Sequence, residues 1–128
     1  MKKVISAQQL LDIANEFGTP VYVYHAETIT DQFQKLQSAF KGHPTRFFYA
    51  CKALTNIHIL KHLLQLGANL DCVSINEVKL GLHVGFDPSQ ILFTPNCVDF
   101  SEIKEAKELG VNINIDNISI LEQFGNTY

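Results

Sequence analysis

The segment from Arg46 to Lys52 ends in a lysine that follows a run of apolar residues. Side chains alternate between the two faces of a strand, so Phe48, Ala50 and Lys52 are predicted to share one face. The carboxyl ends of parallel strands are where ligands bind, both in (β/α)8 barrels and in open α/β sheets. Lys52 therefore has the position of a catalytic residue.

A carboxylate is expected beside that lysine. The next predicted strand, residues 69–73, brings Asp71 to the corresponding face by the same alternation. Asp71 can then approach Lys52 from the neighbouring strand and form an amine–carboxylate pair. On pattern alone an alternative stays open, in which Lys52 is a surface charge that flanks an apolar strand and protects it from aggregation.

The histidines and cysteines predict no metal site. His58 and His62 are four apart on a predicted helix, a spacing that can chelate a metal, but no further ligand completes a zinc signature. The three cysteines, Cys51, Cys72 and Cys97, fit neither a disulfide framework nor a CxxC motif. Strand alternation directs the first two toward the covering helices, as small buried apolar residues.

Helix and strand patterns alternate along the chain and must position these residues. Residues 6–17 are predicted to form a helix that Ser6 and Gln9 open as a capping box. A short strand at 21–24 and a second helix, which ends before Gly42, follow. Four further strands, each followed by a helical pattern, start 23, 21 and 22 residues apart, at residues 46–51, 69–73, 90–93 and 112–115.

This rhythm predicts the fold class. Strands joined by helices run parallel, and a parallel sheet needs helices to cover it, so the class is α/β. Two architectures remain open, because a doubly wound sheet could close within this length whereas a (β/α)8 barrel needs about 250 residues. In the barrel, the chain would supply the first four βα units and would be a fragment.

Composition excludes several kinds of partner. The 128 residues are 46% hydrophobic and 18% charged, with a net charge of −3, which is typical of a globular protein. Basic and acidic residues form no block, so neither nucleic acid nor a membrane surface is an expected partner, and a small molecule is. The N-terminus has no signal-peptide core, and the odd cysteine count suits reduced thiols, so a cytoplasmic location is expected.

Four short stretches of the sequence contain recognisable motifs in addition to helix and strand periodicity. Residues 49–53, YACKA, are similar to a Y-A-x-K-A segment, and residues 19–24, TPVYVY, are similar to T-P-x-Y-V-Y. Residues 70–74, LDCVS, together with Glu77 are similar to F-D-x-x-S-x-x-E. Residues 93–97, FTPNC, are similar to a segment that follows a third barrel strand. In this order and spacing they resemble the alanine-racemase-like decarboxylases that use pyridoxal phosphate, fold type III. One departure is Leu54, where many members have asparagine.

The resemblance implies an architecture and a site. Residues 26–128 would form the first half of a TIM-type (β/α)8 barrel, and residues 1–25 a helix and strand that join a C-terminal β domain. Lys52 would bind pyridoxal 5'-phosphate as a Schiff base, and Asp71 would orient the amine or the cofactor. Ala50 is small and would let the cofactor ring approach. Ser74 and Glu77 are predicted to cap a helix.

The resemblance also implies an activity. The substrate would be an amino acid, with meso-diaminopimelate, converted to L-lysine and carbon dioxide, ahead of carboxynorspermidine, ornithine and arginine. The complete enzyme would be a homodimer, and these residues alone would be inactive because the phosphate-binding loop lies later in such proteins. Two other classes are a pyridoxal-phosphate carrier without turnover, disfavoured by residues 1–24, and a regulatory pseudo-enzyme, disfavoured by Lys52 and Asp71.

Overall fold

A computed structural model describes residues 5–128, and within them the chain forms six α-helices and four β-strands. It divides into two compact units between Pro44 and Thr45. None of the helices in the described part is long and apolar enough to cross a membrane. In chain order the elements are α1 (Ala7–Phe17), α2 (Ala26–Ala39), β1 (Phe48–Ala50), α3 (Ile57–Gln65), β2 (Asn69–Cys72), α4 (Ile75–Val84), β3 (Ile91–Phe93), α5 (Phe100–Glu108), β4 (Asn112–Ile113) and α6 (Ile118–Thr127).

The first unit contains α1 and α2. The Ser6 hydroxyl accepts from the Gln9 N–H over 3.2 Å, and the Gln9 side chain accepts from the Ser6 N–H over 2.9 Å, so the predicted capping box is confirmed. At the start of α2, Nδ1 of His25 accepts from the Thr28 N–H over 3.2 Å. This second cap was not predicted, because histidine is not among the usual capping residues.

The strand predicted at residues 21–24 is wrong for the described structure, in which the stretch between α1 and α2 contains no strand. A β-strand needs a neighbouring strand for its backbone hydrogen bonds. The four strands of the described chain pair only with one another, so this stretch has no such neighbour. Its side chains are exposed instead, Tyr22 by 88%.

The second unit is built on a parallel sheet with strand order β1-β2-β3-β4. In the register, Ala50 lies opposite Asp71, and Asp71 lies opposite Leu92. A doubly wound sheet reverses its order at a switch point, whereas each strand here neighbours the next one in sequence. The parallel α/β class is thus confirmed, and the strand order matches the barrel architecture of the two that the sequence left open.

One face of this sheet is covered by helices. Side chains from β2, β3 and the residue that directly follows β1 pack there against side chains from α3, α4 and α5, and all of them are at most 1% exposed. The prediction that two cysteines point toward the helices is therefore confirmed. The fully buried residues of this layer are Cys51, Leu60, Leu70, Cys72, Val78, Ile91, Phe93, Ile103 and Ala106.

β1 is shorter than predicted, and this moves the candidate lysine. The strand ends at Ala50, and Cys51–Ala53 forms a 3-10 turn, closed by a 3.1 Å hydrogen bond from the Leu54 N–H to the Cys51 carbonyl. The prediction that Lys52 continues the strand is wrong, because β1 ends at Ala50, one residue before its predicted end at residue 51. Strand alternation alone therefore does not fix the direction of the Lys52 side chain.

Gly81 of α4 lies against the sheet more closely than a side chain would allow. A Cβ atom at Gly81 would lie 2.6 Å from Cδ2 of Leu70 and 3.1 Å from Cδ1 of Ile91, both fully buried. We expect Gly81→Ala to destabilise the protein by about 1 kcal/mol, since overpacking costs about 1–3 kcal/mol and the better helix propensity of alanine returns up to about 1 kcal/mol. Thermal unfolding of the full-length protein measures the difference.

Gly125 of α6 provides the matched control for that substitution. No heavy atom lies within 4 Å of a Cβ built there, so Gly125→Ala gains helix propensity without a clash. Its melting temperature should equal or exceed that of the parent protein. A Gly81→Ala variant as stable as Gly125→Ala would show that α4 does not depend on close contact with the sheet.

Candidate active site

Lys52 lies at the carboxyl end of the sheet, in the turn Cys51–Ala53 that directly follows β1. Its side chain is exposed, and the turn lies beside β2. The turn thus brings a primary amine to the end of the sheet where parallel-stranded proteins bind their ligands. A small side chain, Ala50, precedes the turn.

Asp71 is half-buried in β2, directly opposite Ala50 of β1. Its Oδ1 accepts a hydrogen bond of 2.5 Å from Oγ1 of Thr94. The structure thus brings Lys52 and Asp71 to one end of adjacent elements, and the ion pair found within residues 5–128 joins Lys79 and Glu105, not these two residues. The carboxylate is instead oriented from the β3 side.

Thr94 is the residue that sequence reasoning missed. It follows β3 directly, and its N–H donates to the Cys72 carbonyl over 2.8 Å, which extends the pairing of β2 and β3 by one residue. Strand alternation from Leu92, which lies opposite Asp71, would have placed Thr94 on the same face as the carboxylate. The predicted strand ended at residue 93, one residue before Thr94.

Ser74 and Glu77 form the start of α4. The Ser74 hydroxyl accepts from the Glu77 N–H over 3.3 Å, so Ser74 caps the helix as predicted. The Glu77 carboxylate accepts from the Val73 N–H over 2.8 Å, one residue before the Ser74 N–H that a capping box would use. Both side chains thus stabilise the chain where β2 passes into α4.

A second polar group lies behind the candidate site, on the helix-covered face. The Sγ atoms of Cys51 and Cys72 and a carboxylate oxygen of Glu77 lie within 4.8 Å of one another. The hydrogen bond with Cys51 and then burial raise the pKa of the Cys72 thiol well above its usual range, and the charges of Glu77 and Asp71 add to this. The hydrogen bond and the complete burial of Cys72 thus both favour its uncharged thiol form.

The residues at the strand ends fit the cofactor that the resemblance implies. Lys52 offers an exposed primary amine, which is the group that reacts with an aldehyde. Ala50 adds only a methyl group beside it, and Asp71 supplies a carboxylate with one oxygen already anchored. The donor set therefore suits a carbonyl cofactor such as pyridoxal 5'-phosphate.

Comparison with known proteins gives consistent results. Residues 26–128 match the family model described as pyridoxal-dependent decarboxylase, pyridoxal binding domain. A diaminopimelate decarboxylase of Methanothermobacter thermautotrophicus is 40% identical over 120 residues, which are 92% of this chain and 28% of that protein. The chain thus spans less than a third of the length of that curated relative.

Solved structures extend the likeness to the fold. A lysine/ornithine decarboxylase of Vibrio vulnificus, complexed with putrescine, superposes with a TM-score of 0.84 at 26% identity, over 97% of this chain and 35% of that one. A diaminopimelate decarboxylase of M. jannaschii, in complex with L-lysine, gives a TM-score of 0.78 at 29% identity, over 92% and 29% of the two chains.

Proposed function

Because the chain belongs to the pyridoxal-dependent decarboxylases, whose pyridoxal binding domain its residues 26–128 match, we propose that it is part of an enzyme that decarboxylates meso-diaminopimelate to L-lysine. The observation that carries the choice of substrate is the 40% identity, over 92% of this chain, to a relative named diaminopimelate decarboxylase. The location of Lys52 and Asp71 at the carboxyl end of the sheet supports the same chemistry.

The chain's own residues have distinct tasks in this proposal. Lys52 would hold pyridoxal 5'-phosphate through its amine, which is the group that reacts with the cofactor's aldehyde. Asp71 orients the nitrogen at that position through a carboxylate oxygen, and Ala50 leaves room for the ring. The bound cofactor supplies the electron withdrawal that lets the substrate carboxylate leave as carbon dioxide.

We further propose that strands outside these residues complete the barrel. Two observations support this: β1 and β4 are the outer strands of the sheet that residues 5–128 form, and the chain spans less than a third of the first curated relative. In the complete enzyme, residues 26–128 would form the first half of the barrel and residues 1–25 would associate with a β domain. A homodimer in the cytoplasm is part of the same proposal.

A second substrate has support from the fold comparison. The lysine/ornithine decarboxylase of Vibrio vulnificus has a TM-score of 0.84 with this chain, which favours ornithine or another basic amino acid as the alternative. Arginine and carboxynorspermidine share the same reacting end, an α-amino carboxylate, and differ only in the remote part of the molecule. Selection between them therefore rests on contacts away from Lys52.

Carbon dioxide release by the full-length protein tests the proposal. Purified protein with pyridoxal 5'-phosphate is assayed with meso-diaminopimelate, ornithine, arginine and carboxynorspermidine at equal concentrations. We expect kcat/KM for meso-diaminopimelate to exceed the others by about 100-fold or more, as sites that pair a buried polar group of the substrate achieve. Preference for ornithine would support the second candidate. Bound cofactor without any turnover would indicate the carrier or pseudo-enzyme class instead.

A further inference from the structure

Thr94 is fixed at both its backbone and its side chain. Its N–H donates to the Cys72 carbonyl over 2.8 Å, so the residue belongs to the sheet although β3 ends before it. Its hydroxyl donates to Oδ1 of Asp71 over 2.5 Å, a length typical of a hydroxyl that donates to a carboxylate. The two bonds connect the end of β3 to the middle strand of the candidate site.

This connection decides where the Asp71 oxygens point. A carboxylate turns readily about its last single bond, so a donor at a fixed position selects its orientation. Threonine is a suitable donor because its β-branched side chain is stiff. The bond holds Oδ1 toward β3 and thereby turns Oδ2 away from β3. Ala50 and the turn that carries Lys52 lie on the opposite side of β2.

We propose that Thr94 is a positioning residue, which acts through Asp71 to present a carboxylate oxygen to the amine of Lys52 or of the substrate that replaces it. The inference rests on the function proposed above, since it requires Lys52 to hold the cofactor. In this role Thr94 acts only through its bond to Asp71. Its contribution is to keep Asp71 in one orientation while the amines exchange.

The other titratable side chains around Asp71 bond to other groups or lie on the helix-covered face of the sheet. The Glu77 carboxylate accepts from the Val73 N–H over 2.8 Å and so belongs to the start of α4. Cys51 and Cys72 are fully buried on the helix-covered face. Among the hydrogen bonds of residues 5–128, the side-chain donor to Asp71 is therefore Thr94.

Two substitutions of Thr94 in the full-length protein separate the hydroxyl from the shape of the side chain. Thr94→Val keeps the branched shape and removes the donor, and we expect kcat to fall by about 10- to 100-fold, as for loss of a hydrogen bond to a charged group. KM should change by less than about threefold. Thr94→Ser keeps the donor and should recover kcat to within about threefold of the parent protein.

A readout without turnover accompanies the kinetics. Cofactor-free protein is mixed with pyridoxal 5'-phosphate, and the rate at which a borohydride-trappable bond to Lys52 forms is measured. Thr94→Val should slow this step by about tenfold, and Thr94→Ser should not. Equal rates in the parent protein and Thr94→Val would overturn the positioning role. Absence of any adduct at Lys52 in the parent protein would refute the proposed function itself.

The dependence on Asp71 is tested by combining substitutions. Because Thr94 acts through the carboxylate, Thr94→Val should have less than a twofold effect in an Asp71→Ala background. Additive losses would show that Thr94 acts by another route and would overturn the inference. If Thr94→Val lowers the melting temperature by more than a few degrees, Thr94→Ala replaces it in the same cycle, with the same two outcomes.

Discussion

Replacing Lys52 by alanine is expected to abolish decarboxylation by the full-length protein, with kcat lower by about 10³-fold or more. The amine that binds the cofactor aldehyde would be lost, and the remaining residues of the site can only orient groups. Carbon dioxide release measures the effect, and absorbance of the bound cofactor reports its attachment. Lys61→Ala is the matched control, because Lys61 is an exposed lysine on α3, and its activity should stay within about twofold of the parent protein.

Borohydride reduction of the holoenzyme and peptide mapping identify the attached lysine independently of activity. The reduced pyridoxyl group is expected on the peptide that contains Lys52. Recovery of the group on Lys61 or Lys79 would contradict the assignment, even if Lys52→Ala were inactive. In that case Lys52 would be the flanking charge that its sequence pattern also allowed.

Residues 1–128 expressed alone are expected to self-associate and to unfold without a cooperative transition. β1 and β4 are the outer strands of the sheet in the described part of the chain, and the outer strands of an open sheet invite pairing with other chains. Large apolar side chains are also exposed, Phe17 by 68% and Ile118 by 74%. Each such side chain forgoes roughly 1.5–3 kcal/mol, against a total stability of about 5–15 kcal/mol for a domain.

Light scattering and differential scanning calorimetry test this expectation, with the full-length protein as the control. The full-length protein should be monodisperse and should melt cooperatively under the same conditions. A monomeric 128-residue chain with a cooperative transition would show that the sheet is stable with open edges. It would also remove the support that these edges give to a barrel completed by further strands.

Features set by neighbouring residues were predictable from the sequence. The helix starts at Ser6 and Ser74 were predicted because a capping side chain bonds to a backbone N–H only three residues away. The four-unit rhythm was predictable for the same reason, since helix and strand periods appear within short windows. Residues 21–24 show the limit, because a β-rich composition does not supply the partner that a strand requires.

Features set across strands were harder to predict. Lys52 was predicted to lie on the strand because side chains were assumed to alternate between faces as far as residue 52. The turn that follows β1 could not be predicted, because its residues do not interrupt the apolar pattern. Thr94 was missed for the opposite reason, since β3 was predicted to end at residue 93 while its pairing with β2 continues to Thr94. Its bond to Asp71 joins residues 23 apart, a distance at which only the strand register decides which side chains meet.

The order of the strands has a consequence for how the sheet forms as the polypeptide is made. Phe48 lies opposite Asn69, and Leu70 opposite Ile91, so these pairs are 21 residues apart in sequence. The entropy cost of closing a loop grows only slowly with its length, and here each closure spans a single βα unit. Each strand finds its partner as soon as one more βα unit has left the ribosome, so the sheet can grow in the direction of synthesis.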